Sequence, residues 1–358
     1  MYAVLFAETG LSAAQISSLF AIWSVTGFVF EVPSGAWADT FSRRRLLALA
    51  PVLAGAGFVL WTFIPSYLSF AVGFMLWGVG SAMQSGTLEA LVYEELTRVG
   101  ASDAFARLIG RAEAAATLAQ LIATLPAGVI LAATGYHVVG LASVGATLLA
   151  AAVGWSLPES RGRRAEQRAR YLDVLRGGLA EVRRSRAVRR NLLLVAVLMG
   201  ITALDEFVPL LAQATGAGTA TMPLLVGLVT AGYAVGGWFA GRGTRWMAPW
   251  LVVGAGCLAA GAISGHPAGL ALVAVAYGVF QWAIVGTEAR LQDNITDEAR
   301  ATITSVSGFG AEVVAIGAFA GYALGSTWSG PGPLFALAAV PYLIIALALR
   351  RSDRNERT

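Results

Sequence analysis

Acidic and amide side chains interrupt the apolar stretches of this chain at only a few places. Glu113, Thr117, Gln120 and Thr124 recur at i, i+4, i+7 and i+11, which on an α-helix is one stripe of one face. Arg107 and Arg111 make a second row one turn apart. Asp205 and Glu206 stand side by side, and Pro209 just beyond them frees backbone groups and permits a bend. Glu312 has Ser305 and Gly308 on its own helical face, and Glu31 lies about two turns before Asp39. An ionisable group inside an apolar span costs on the order of 2.5–3.5 kcal/mol even on a lenient scale, so each is a functional-site candidate. The chemistry on offer is loading and release of a proton, or hydrogen bonding to a solute, at Glu31, Glu113, Asp205, Glu206 and Glu312. Gln84, Thr117, Gln120 and Gln281 are the neutral groups that could line a polar cavity. The competing readings are interhelical hydrogen bonding for the 113–124 stripe and a helix end at the outer interface for Asp205-Glu206.

The elements that must position these groups are membrane spans. The chain has 358 residues, 57% of them hydrophobic and 13% charged, with a mean hydropathy of +0.68. A soluble domain is about 25% charged, so the composition is that of an integral membrane protein. A hydrocarbon core about 30 Å thick takes about 20 apolar residues. That rule predicts eleven complete spans, near 15–37, 46–64, 69–91, 106–132, 138–156, 191–211, 222–241, 248–264, 268–289, 301–324 and 333–349. Most connections are a few residues long, which makes consecutive helices antiparallel neighbours.

Every basic side chain other than the two histidines is an arginine, which excludes a Walker A phosphate loop with its lysine. The arginines fall at 43–45, 98, 107, 111, 161–190, 242, 245, 290, 300 and from 350 onward, and the alternate loops carry none. Basic residues concentrate on the cytoplasmic side, so that face carries the central linker and the C-terminus, in a cell membrane crossed many times. Cys257 is the single cysteine, so no intrachain disulfide or cysteine metal site is expected. His137 and His266 fall in short loops and read as interfacial residues rather than ligands.

Residues 158–190 form the one long polar segment. Its eleven arginines stand against four acids, and Tyr171, Val174, Leu175, Leu179 and Val182 recur at helical spacing. This pattern predicts an amphipathic helix on the inner leaflet rather than a nucleic-acid-binding element. At the other extreme, Met1 to Ala7 is apolar but about a third of a ~20-residue span. It reads as the end of a first helix that has lost its first half, through a misplaced start or a fragment. A cleaved signal peptide does not fit, because there is no charged leading region.

The stretch Glu31 to Arg45 (EVPSGAWADTFSRRR) resembles the signature loop between the second and third spans of the major facilitator superfamily. Gly35, Asp39, Arg43 and Arg44 match at the right spacing. Thr40 stands where a basic residue is usual, and Ser42 where glycine is usual. Gly241-Arg242-Gly243-Thr244-Arg245 sits where a second copy of the loop belongs. An internal repeat agrees: Gly86-Thr87-Leu88-Glu89-Ala90 ahead of Asp103 to Arg107, and Gly286-Thr287-Glu288-Ala289 ahead of Asp297 to Arg300. Parallel repeats of two six-helix halves fit the same superfamily.

The resemblance implies an all-α membrane protein of two pseudo-symmetric six-helix bundles, with eleven complete spans plus a remnant of helix 1. The N-terminal bundle is expected over 1–157, the linker over 158–190, the C-terminal bundle over 191–350 and a tail over 351–358. It implies that Asp39 ties the second span to the start of the eleventh near Ala301, where a helix N-terminus favours an acid, with Arg43 and Arg44 reinforcing the inner closure. Leu125-Pro126-Ala127-Gly128 keeps the proline, but not the preceding glycine, of the motif in proton-coupled drug exporters.

The expected function is alternating-access transport of a small solute, coupled to protons and directed outward. An importer or facilitator, or a non-transporting sensor-like or truncated copy, is the alternative. No enzyme activity, cofactor, metal or nucleic-acid partner is expected: Glu94-Glu95 and Asp297-Glu298 lack the D-D-x-x-D spacing of membrane prenyltransferases. The expected partners are the solute, protons and membrane lipids, with the protein a monomer.

Overall fold

The structure, a computed structural model, describes residues 2–85, 87–160, 182, 184–240, 246–295 and 297–355. Within these, the side chains at 32–36, 38–40, 106, 113, 114, 117, 125, 297–302, 305 and 351–355 are outside the description. The Gly35, Asp39, Glu113 and Thr117 side chains are therefore outside it, as are Ser305, the 241–245 loop and the linker helix up to Leu179. The described residues are mostly helical, with no strand among them. Seven helices are long and apolar enough to cross a membrane, and Met222–Trp238 and Met247–Ile263 are shorter apolar helices. The chain divides into two compact units, a first of Leu5–Ala165 and a second made of Glu166–Thr358 together with Met1–Val4.

Helix α1 (Tyr2–Glu8), whose residues up to Val4 belong to the second unit, leads in the first unit to α2 (Ala13–Thr40), which starts at a capping box: Ser12 accepts from Gln15 N–H and Gln15 reaches back to the Ser12 N–H. Then follow α3 (Arg43–Phe63), α4 (Tyr67–Gln84), α5 (Thr87–Arg98) and α6 (Phe105–Ser156). Helix α3 is central, packing on α4 and α6, while α2 packs on α4. The core is aromatic. Phe6 lies 4.3 Å from Phe70 and meets Trp61 edge-on at 5.3 Å, while Phe74 stacks parallel to Trp77.

Two differences from the sequence expectation matter. The span expected at 69–91 is interrupted at Ser85, which leaves helical geometry (ψ 123°) between α4 and α5. The loop expected at 133–137 contracts to Gly135, whose φ of 72° and ψ of −175° bend α6 into two helices. Only glycine takes that backbone without strain.

The second unit holds α7 (Arg186–Thr202), a 3-10 turn (Ala203–Phe207), α8 (Val208–Ala214), α9 (Met222–Trp238), α10 (Met247–Ile263), α11 (Gly269–Asp293), α12 (Asp297–Gly325), α13 (Pro331–Leu337) and α14 (Ala339–Asn355). Helix α11 packs on α9, α10 and α7, α12 packs on α7, and α14 packs on α10. The pairings α2–α4, α3–α4 and α3–α6 in the first unit thus recur as α9–α11, α10–α11 and α10–α14 in the second. Val182, the last of the apolar residues noted in the linker, packs against the cluster of Val188, Leu192, Val195, Leu291, Ile295 and Ile303.

Candidate functional site

The span expected at 191–211 does not run straight through. Pro209 has no N–H to give to the carbonyl of Asp205, and its ring crowds that carbonyl. The chain tightens into the 3-10 turn Ala203–Phe207, where the Val208 N–H takes the Asp205 carbonyl instead. A 3-10 helix has three residues per turn, so Asp205 and Glu206 diverge by about 120° rather than the 100° of an α-helix.

Each acid meets a tyrosine. Tyr2 Oη donates to Glu206 Oε2 at 2.5 Å, and Tyr233 Oη donates to Asp205 Oδ2 at 3.3 Å. Both carboxylates are half-buried. At the last residue before the break, Thr202 is 5% exposed, and its hydroxyl lies 2.9 Å from Tyr342 Oη. The ring of Tyr342 stacks on Phe280 at 3.6 Å, Phe280 meets Tyr277 at 6.0 Å, and Tyr277 meets Tyr233 at 5.2 Å. The rings thus run as a chain from Tyr342 to the partner of Asp205.

Close backbone approach makes this possible. A Cβ on Gly232 would fall 2.2 Å from the carbonyl of Ala274, and one on Gly236 would fall 1.9 Å from that of Gly278. Glycines spaced four apart let α9 lie against α11, which carries Tyr233, next to Gly232, onto Tyr277. Gln281 follows Tyr277 by one turn on α11 and is half-buried.

A second interruption lies in the first unit. Glu31 accepts a hydrogen bond from Ser85 Oγ at 2.8 Å, where α4 gives way to α5. Gln84, next to it, is exposed. Substrate and ion sites in transporters form characteristically where helices are discontinuous; the first break carries two acids that the sequence had marked, and the second is met by a third from α2.

A matching family and matching folds bear on this geometry. The family model of the Major Facilitator Superfamily matches residues 1–314. The chain belongs to the major facilitator superfamily. Its fold matches a nucleoside transporter, NupG (D323A mutant), with a TM-score of 0.78 and 10% identity, covering 98% of this chain and 93% of that one. A bacterial homologue of the human lysosomal transporter Spinster, in an inward-facing unoccupied conformation, matches with a TM-score of 0.68 and 15% identity, covering 94% and 88%. The xylose transporter XylE from E. coli matches with a TM-score of 0.65 and 13% identity, covering 95% and 87%. Among curated proteins, none matches this sequence. The chain therefore has the multi-pass membrane fold of major facilitator superfamily transporters.

Arg43 and Arg44, expected from the sequence to belong to the signature loop, are engaged inside the first unit. Arg43 pairs with Glu94 at 2.7 Å, and the Arg44 guanidinium lies 5.2 Å over the Trp155 ring. Ser42, the departure from glycine, caps α3 by accepting from the Arg45 N–H and donates its own proton to Glu159. Glu159 also accepts from the Arg43 N–H at 2.7 Å, so a carboxylate sits at the N-terminus of α3, where the helix dipole favours it. Next along, Glu95 accepts from the Ser160 N–H at 2.5 Å and from Arg98 Nε at 3.0 Å. The Ser160 N–H, and after it Arg98, hold the Glu95 carboxyl below its ordinary value of 4.5.

The other sequence candidates are less gathered. Gln120 is exposed and Thr124 half-buried on α6, where Thr124 Oγ1 bonds back to the Gln120 carbonyl at 2.7 Å. Glu312 is half-buried on α12 and meets no described hydrogen-bond partner. Among the described residues no group of three or more His, Cys, Asp or Glu could hold a metal. Sequence reasoning passed over Tyr2, Thr202, Tyr233, Tyr277 and Tyr342. The available signal was a buried aromatic with a polar tip, which needs a partner when it leaves water.

Proposed function

We propose that this chain is a secondary transporter that moves a small solute by alternating access, coupled to protons, with Asp205 and Glu206 as the proton-bearing pair. One observation carries the reading. The two carboxylates stand at a helix interruption, held by tyrosine hydroxyls, and no arginine or histidine side chain pairs with them among the described residues. Glu31, Glu113 and Glu312 are secondary proton or solute candidates, and Gln84, Thr117, Gln120 and Gln281 are solute contacts.

Asp39, with Gly35, Arg43 and Arg44, forms the gate in this reading. The working unit is a monomer of two bundles, 1–157 and 191–350, in the cell membrane, with the 158–190 linker and the tail in the cytoplasm. Export is the direction we assign, from the proline kept at 126. Import has its own support, since one matching fold is that of a D-xylose-proton symporter, with a TM-score of 0.66.

Proteoliposomes with a trapped pH dye test the reading across nucleosides, sugars, peptides and amphipathic cations. The expected result is a solute-dependent proton flux that disappears in Asp205→Asn and Glu206→Gln. Solute flux without proton movement, indifferent to both substitutions, refutes the coupling. The sign of the proton flux relative to the solute separates export by exchange from symport.

A further inference from the structure

Three serine and threonine hydroxyls of the second unit are buried among the described residues, at Thr202, Thr287 and Ser307. Thr202 and Thr287 donate to the carbonyls four residues back, Leu198 and Ala283, at 2.5 and 2.7 Å. Ser17 in the first unit does the same with Ala13 at 2.8 Å. A helical hydroxyl withdrawn from water finds its acceptor in this way. Ser307 on α12 does not. It is 6% exposed, and its buried Oγ has no hydrogen-bond partner among the described residues. Gln292 on α11 repeats the pattern close by. Its Nε2 donates to Thr304 Oγ1 at 3.2 Å, one turn before Ser307, while its Oε1 is buried and unpaired.

The place of Ser307 gives this a direction. It lies where α12 meets α7. A Cβ on Gly200 would fall 2.5 Å from the Ala311 carbonyl, and one on Gly310 would fall 2.9 Å from Ala196 Cβ, so the two helices are close at that level. Toward the Arg186 end, Val188, Leu192 and Val195 of α7 form one apolar cluster with Ile303 of α12 and Leu291 and Ile295 of α11. Ile303, Ser307 and Ala311 are buried at i, i+4 and i+8, one stripe of α12. The unpaired hydroxyl therefore stands between the glycine contact and the apolar cluster. Asn191 on α7, one turn before Val195 and 8% exposed, meets no described partner either. The glycine contact adjoins the break at Ala203–Phe207, and the unmade hydrogen bonds all lie toward the opposite end of α7.

We propose that α7 and α12 are poised to part at the Arg186 end, with α7 swinging about the Ala203–Phe207 break and water entering to Ser307, Asn191 and Gln292. A buried polar group without a partner costs its full desolvation, so the closed interface is held by the apolar cluster against the unpaired groups at its edge. Opening hydrates those groups and offsets part of the loss of apolar burial. A hydroxyl that bonded back to Ile303, or an alanine in its place, would remove that bias and keep the pair shut. The opening is internal to the second unit and depends on neither the solute nor the coupling ion, so it stands apart from the transport reading above.

The test uses the full chain in lipid nanodiscs, carrying Cys257→Ala and Val188→Cys. Val188 is 0% exposed within the cluster, so its labelling by a water-soluble maleimide reports the opening. Adding Ser307→Ala should slow labelling by about fivefold or more. In the chain without the probe, the same substitution should raise the unfolding midpoint by about 2–4 °C. Ser17→Ala, which removes a hydrogen bond that is made, should lower the midpoint and leave the labelling rate as it was. Equal or faster labelling in Ser307→Ala overturns the proposal, whatever the midpoint does. A lowered midpoint in Ser307→Ala also overturns it, because the hydroxyl would then be paired, as with an ordered water. A chain that labels as expected but moves no solute would defeat the transport reading and leave this one standing.

Discussion

The hydroxyl of Tyr2 lies 2.5 Å from Oε2 of Glu206, joining the first turn of α1 to the interrupted helix that carries both acids. A hydrogen bond to a charged group contributes about 1.5–3 kcal/mol, and Tyr2→Phe removes it while keeping the ring. The purified protein should then unfold at a lower temperature, by a few degrees. An unchanged midpoint would show that the contact contributes nothing to stability.

Pro209→Ala restores a backbone donor opposite the Asp205 carbonyl and removes the ring that crowds it. The 3-10 turn is expected to relax into continuous α-helix, which turns the two acids relative to their tyrosines. Thermal stability should rise, while transport slows by about tenfold, equivalent to roughly 1.4 kcal/mol in the barrier. Parent-like transport rates in the variant would contradict a functional role for the break.

The contact between α9 and α11 gives a sharper comparison. Leucine at 236 would drive its Cβ to 1.9 Å from the Gly278 carbonyl, whereas position 237 has nothing within 4 Å. Overpacking of this kind costs about 1–3 kcal/mol, so Gly236→Leu should destabilise the protein and Gly237→Leu should not. Equal stability of the two variants would mean that the helices tolerate separation.

Glu95 predicts a pH response outside the membrane. Its folded pKa is depressed, chiefly by the Ser160 N–H and then by Arg98. Its stabilising contribution is thus complete above its ordinary value of 4.5 and is lost as pH falls through the lower folded value. Trypsin-like cleavage after Arg161 at pH 7 should therefore be faster in Glu95→Gln than in the parent. Tryptophan fluorescence of the parent should begin to drift only below 4.5. Equal cleavage rates in parent and variant would remove this tie from the account.

Much of this fold was legible because apolar run length is a consequence of the membrane itself. The acids were legible for the same reason: a carboxylate between leucines and valines is conspicuous in one dimension. Their partners were not. Tyr233 and Tyr277 look like ordinary aromatic residues of their spans, and the glycine contacts of α9 with α11 bring Tyr277 against Tyr233, the partner of Asp205. The break at Ser85 also escaped, since neither serine nor glycine there interrupts an apolar run. The engagement of Ser42 with Glu159 joins residues far apart in sequence, which no spacing reveals. Pro209, by contrast, announced the bend that the structure contains.

At Gly232 and Gly236 the two helices touch backbone to backbone, and a contact without side chains has no cushion. Neither α9 nor α11 can roll against the other without collision, so the pair transmits force as one stiff member. Compliance in the second unit is then concentrated where the helical ladder is already broken, at Ala203–Phe207. In the transport cycle proposed above, bending of the chain there and loading of the two carboxylates would be a single mechanical coordinate.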